Sequence, residues 1–201
     1  GDLAAHDAKP ELALRHYLDA LVVDPTAVVP IAWIDQKFGW EARSVAFGEA
    51  LARYRERPDA IAARAATLRW QQARADFEGQ QWQKARTGFE TVLTENPAFV
   101  NACYYAARAA FLLDDHDGAE AHAARFAETS ADAFADIVRN LEPEPRGEFG
   151  AMLEHLGHRA FQAGRLDHSR DLNHVIACLR DSADAWNNYA FLCRETRHYE
   201  Q

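Results

Sequence analysis

Apolar residues return along this chain with the spacing of amphipathic helices, and one short pattern recurs. In the run from Ala13 to Leu21, the residues Ala13, Tyr17 and Ala20 stand at offsets 0, 4 and 7, and Pro25 follows at offset 12. The same offsets hold Ala85, Phe89, Val92 and Pro97, then Ala119, Ala123, Phe126 and Ala131, and in a weaker copy Ser169, Asn173, Ile176 and Asp181. Offsets of 4 and 7 put three side chains on one helical face. A proline after them stops that helix, because it lacks the N–H that would continue the ladder.

Twelve residues before the first anchors stand Gly1, Ala73, Ala107 and Gly157. A further copy anchored at Ala46 and ending at Pro58 gives Ile34, and one anchored just past Gln201 gives Ala190. Five of these six residues are Gly or Ala. A small residue at a fixed place lets a second helix cross closely, since ridges enter grooves only where side chains are short. Each unit therefore reads as a hairpin: a first helix with a small crossing residue, then a second helix with an Ala/aromatic stripe.

The anchors are spaced 33, 39, 34, 50 and 33 residues apart. A period near 34, two helices per unit, small-residue crossings and a closing proline resemble the tetratricopeptide repeat. Trp186 stands at that family's bulky first-helix position, and Gly79, Gly118 and Gly164 lie near the turns between paired helices. The resemblance implies an all-α, right-handed superhelical solenoid of antiparallel helix-turn-helix repeats, of about eleven or twelve helices with no sheet. Its units are a half repeat 1–27, repeats 28–58, 59–99 and 100–133, an insertion 134–149, a repeat 150–182 and a half repeat 183–201. The unit 28–58 fits least well, because Ile34 replaces the small residue.

Two stretches depart from the period. About five extra residues follow Pro58, where Asp59 is placed to cap a long first helix from Ala60 to Glu78. About sixteen extra residues precede the repeat 150–182. Residues 132–139 there read as a short amphipathic helix, and 140–147, with Pro143, Pro145 and Gly147, as a loop. Both ends fall inside a unit, which fits a section of a longer repeat protein whose open terminal repeats could self-associate.

Composition agrees with a helical globular chain: 48% of residues are hydrophobic and about one in five is Ala, the best helix former. No apolar run reaches the length of a membrane span. Lys and Arg number 22 against 31 acids, for a net charge of −9. Without a basic cluster, binding to nucleic acid or an anionic membrane is not expected, and an RNA-reading helical repeat is disfavoured. Cys103, Cys178 and Cys193 have neither disulfide-framework nor zinc spacing and read as buried thiols. No basic leader precedes the start, which suggests a cytoplasmic protein, although the chain lacks an initiator Met and an upstream targeting segment could have been removed.

Motifs for catalysis are missing: there is no phosphate loop, GxGxxG, GxSxG or HExxH. Nine histidines include His155 and His158 beside Glu154, with His168 further on, but the repeat register turns them to different parts of the helix surface. Asp114, Asp115 and Asp117 read as a solvated turn, and Ser169 has no base beside it. No cofactor, metal or catalytic residue is expected. Trp82, Phe89, Phe126 and Tyr17 fall at packing anchors.

The resemblance further implies a concave groove lined by the first helices. Carried onto this chain, it gives Trp70, Arg74 and Phe77, then Tyr104, Arg108 and Phe111, then His158 and Phe161, and Asn187 in the last half unit. Aromatic shelves and cationic heads of that kind suit a peptide carrying acidic groups. The family's Lys and Asn clamp for a C-terminal carboxylate is not matched at its positions. The expected function is a non-catalytic protein-interaction scaffold taking a partner peptide or helix in that groove. The alternative is a substrate-selecting accessory segment of a larger enzyme such as a transferase.

Overall fold

The structure, a computed structural model, describes residues 9–99, 101–140 and 143–196. Among these residues it is all-α, with ten helices and no strand. They are α1 Pro10–Val23, α2 Val28–Lys37, α3 Trp40–Arg55, α4 Ala62–Glu78, α5 Trp82–Glu95, α6 Asn101–Leu112, α7 His116–Arg139, α8 Pro143–Gln162, α9 Leu166–Arg180 and α10 Ala183–Glu195. The chain divides into two compact units, Gly1–Ala102 and Cys103–Gln201. The readings for residues 1–8, 100, 141–142 and 197–201, Gly1 among them, lie outside the described residues.

Three tight turns join paired helices, and they share one backbone solution. Gln80, Asp114 and Gly164 each take a left-handed φ, of 60°, 59° and 75°. Each stands five residues before a second-helix anchor, Ala85, Ala119 or Ser169. Around each, the following N–H reaches back to the carbonyl five residues earlier: Gln81 to Asp76, Asp115 to Ala110 and Arg165 to Ala160, at 2.9–3.0 Å. That bond satisfies a carbonyl that the ending helix leaves unpaired. Only one of the three positions is glycine. Gly79 instead stops α4 one residue earlier, and Gly118 lies inside α7, where its N–H caps on the Asp115 carboxylate at 2.9 Å.

The anchor and crossing residues of these hairpins are interior. Ala85, Ala119 and Ser169 are buried, and so are Ala73, Ala107 and Gly157. A Cβ on Gly88 of α5 would fall 2.7 Å from the Ala73 Cβ, so α4 and α5 touch at the small residue the spacing selects. In the first unit Leu21, Trp33, Ile34, Phe47 and Leu68 join one apolar core. In the second, Phe126 and Phe134 stack at 4.4 Å and Phe149 packs 5.7 Å from Phe134.

Three local readings are corrected. Helix α4 begins at Ala62 without a side-chain cap, because Asp59 is taken by a bidentate pair with Arg57 at 2.8 and 2.9 Å. Residues 132–139 are the last turns of α7, not a separate helix. Where other units close with Pro25, Pro58 or Pro97, this one has Ala131, so the ladder continues and Phe134, Ala135 and Val138 extend the buried stripe. Finally, 143–147 is not a loop, since α8 starts at Pro143. First-turn N–H groups have no partner inside a helix, so prolines at its first and third positions remove no bond.

Candidate interaction cleft

Helices α8, α9 and α10 enclose a cleft of about 500 Å³ within the second unit. The hairpin turn at Gly164 returns α9 along α8, and Ser182 caps α10 by accepting from the Ala185 N–H at 3.3 Å. The floor is apolar or small: Gly157, Ile176, Ala185 and Leu192. Phe161 and Phe191 stand on its wall, each 42% exposed, with ring centroids 6.3 Å apart. Large half-exposed rings on facing helices give contact area that loses little rotamer freedom on binding.

Polar groups edge the same space. Glu154 and Arg180 form an ion pair, and His158, Asn173, Ser182, Asp184 and Asn188 complete the lining. Ser169 donates to the Gly157 carbonyl at 2.9 Å, so its hydroxyl is committed to holding α8 on α9. The Asn173 amide donates to the Ser169 carbonyl at 2.8 Å. The charged groups are of both signs, which suits a ligand of mixed rather than purely acidic character.

The structure gathers the expected groove residues only in part. His158 and Phe161 line the cleft. Asn187 is exposed one position away, and its neighbour Asn188 takes the place in the lining. Phe111 packs against the rings of His116 and His155 at 5.2 and 6.0 Å. Trp70 and Arg74 belong to the first unit. Trp70 is half-buried against Phe89 and Phe99, with centroids at 5.5 and 5.1 Å. Arg74 pairs with Glu78, which also pairs with Arg43.

Two of the expected groove residues are core. Phe77 is 8% exposed and packs edge-on against Trp82 at 4.9 Å. Tyr104 is 1% exposed, with Phe149 at 4.7 Å. Burial raises the Tyr104 phenol to about 12, against the opposing pull of the Arg108 guanidinium. Arg108 lies over that ring at 5.7 Å and donates to its hydroxyl at 3.1 Å. Both aromatics meet neighbouring helices, so their helical position alone did not decide their exposure. The register that carries the groove onto the last half unit also reaches Phe191, thirty-three residues after His158, and Phe191 lines the cleft; Asn173, on a second helix, was missed as a lining residue.

Outside the cleft, Glu120 is buried and accepts two bonds from Arg165 at 2.6 Å, and His168 Nδ1 lies 2.8 Å from it. Burial raises this carboxyl, but the bonds from Arg165 and His168 outweigh it and hold the group below its ordinary value. Among the described residues no cluster of three or more His, Cys, Asp or Glu is placed to hold a metal ion. No described helix is long and apolar enough to cross a membrane.

No protein-family model matches the chain, and no curated protein does either. Among solved structures the chain is similar to the crystal structure of BtubC (BKLC) from P. vanneervenii, at a TM-score of 0.55 and 13% identity, covering 98% of this chain and 85% of that one. At this identity the likeness is one of fold alone and carries no activity from one protein to the other.

Proposed function

We propose that this chain is a non-catalytic interaction scaffold of the tetratricopeptide type, its hairpins stacked into a right-handed superhelical solenoid. In this reading the cleft of α8, α9 and α10 takes a partner's peptide or helix. The observation that carries it is the pair Phe161 and Phe191, two half-exposed rings over an apolar floor. A ligand side chain laid against this ring pair and the apolar floor would be desolvated, while Glu154, Arg180 and Asp184 fix the direction of the segment through polar contacts. Both rings fall on first helices of the repeat register, the helices that line the groove in the family this sequence resembles.

The test is peptide display selection on the full chain, followed by titration of the selected peptides. Phe161→Ala with Phe191→Ala should weaken them by about tenfold or more, the cost expected for losing a desolvated aromatic anchor. Selected peptides that bind the double variant at full affinity would move the binding surface elsewhere.

A further inference from the structure

Glu154 and Phe161 stand seven residues apart on α8, and Asp184 and Phe191 seven apart on α10. All four line the cleft. Two helical turns rise about 10 Å, so each helix carries a carboxylate at one end and a ring at the other. The like ends coincide: Phe161 and Phe191 lie 6.3 Å apart, while Arg180, at the end of α9 just before Asp184, pairs with Glu154. The cleft is thus polarised along its length. Its carboxylate end is short of positive charge. Arg180 is engaged by Glu154, whereas Asp184 is exposed and has no ion-pair partner among the described residues, and Asp181 is exposed beside it. The N-terminus of α10 supplies only about half a positive charge, so this end stays negative. At the ring end the Arg194 guanidinium already lies 5.2 Å from the Phe191 centroid, and a second cation has no call there.

Resting on the reading of the cleft as a peptide site, we infer that its partner segment is extended and carries a Lys or Arg three residues from an aromatic or large aliphatic residue. The cation sits against Asp184, and the apolar side chain against Phe161 and Phe191. Three residues of extended chain cover about 10 Å, the distance between the two ends. A helix of that length with its side chains fills about 800 Å³, more than the 500 Å³ of the cleft. An extended chain also brings unpaired backbone groups, which the amides of Asn188, midway along α10, and Asn173 on α9 can meet. The basic residue reverses the acidic peptide that the repeat register suggested. A second helix following α10 would by register lie on the face that holds Ala190, as α9 lies on α8 at Gly157 and α5 on α4 at Ala73. Ala185, Asn188 and Leu192 turn the other way, so that helix leaves the cleft open to a partner.

The probe is a peptide display library with a fixed central Phe and randomised flanks, selected on the full chain. Lys and Arg should be enriched at the third position on one side of the Phe, and Asp and Glu depleted there. In titrations of a selected peptide, Ser in place of that Lys should weaken binding about threefold to fivefold, the span of an exposed ion pair, and Glu about tenfold. Asp184→Asn should shrink the difference between the Lys and Ser peptides, and Asp184→Lys should make the Glu peptide the tighter one. Asp184 is exposed, so both variants keep their fold, which melting curves check. Equal affinity for the Lys, Ser and Glu peptides, or a Lys preference that Asp184→Asn leaves intact, overturns the inference. If Phe161→Ala with Phe191→Ala still weakens those peptides, the cleft reading itself stands. Peptides indifferent to that double variant, or a library that yields no binder, overturn both.

Discussion

The Ser169 hydroxyl donates to the Gly157 carbonyl at 2.9 Å, across the point where α9 crosses α8. These residues are twelve apart, the same separation that joins Ala85 to Ala73 and Ala119 to Ala107. A Cβ at position 157 would meet Asn173 Nδ2 at 3.3 Å and Ile176 Cδ1 at 4.0 Å. Gly157→Leu should therefore overpack the crossing and cost about 1–3 kcal/mol in denaturant unfolding. Ser169→Ala, which removes one bond, should cost about 1 kcal/mol. An unchanged midpoint for Gly157→Leu would show that the helices do not cross there.

At Gly88 two effects oppose each other. Gly to Ala inside a helix normally gains about 1 kcal/mol. Here the new Cβ would lie 2.7 Å from the Ala73 Cβ, well inside van der Waals contact, and α5 would have to move off α4. Gly88→Ala should lower the melting temperature, and Gly88→Ala with Ala73→Gly should recover part of the loss. A stabilised single variant would contradict the contact.

Glu120 predicts an acid-labile second unit. Its carboxyl is held below the ordinary 4.5 by Arg165 and His168. A depressed folded pKa contributes stability that is full above the unfolded value and is lost as pH falls through the folded one. Unfolding free energy should thus decline on acidification below about pH 4.5. Glu120→Gln should remove part of that slope, with a cost of about 1–3 kcal/mol at neutral pH. The measurement is a set of urea melts between pH 3 and 7.

Tyr104 predicts an alkaline signature. Its phenol is raised to about 12, chiefly by burial. In ultraviolet titration one tyrosine should ionise well above 10, the ordinary phenol value, and Tyr104→Phe should delete that step. The sign follows from the raised value: the contribution to stability is full below pH 10, the ordinary phenol value, and is lost as pH rises through about 12. If all tyrosines titrated together near 10 with the fold intact, the buried placement would be wrong.

The hairpin register was readable in the sequence because it is local and periodic. Offsets of 4, 7 and 12 marked Ala85, Phe89 and Ala119, and the residue twelve before each anchor located Ala73, Ala107 and Gly157. All are buried, since a helix fixes which residues share a face before any neighbour arrives. Exposure was another matter. Phe77 stands on the same register position as Phe161 and Phe111, and Tyr104 two turns before it, yet Trp82 and Phe149 cover Phe77 and Tyr104 while Phe161 stays half open. Likewise α8 starts at Pro143, where composition alone suggested a loop, because proline's cost depends on whether its missing N–H had a partner. Periodicity determined the helices and their crossings; only the tertiary structure decided which faces were covered, since coverage depends on residues distant in sequence.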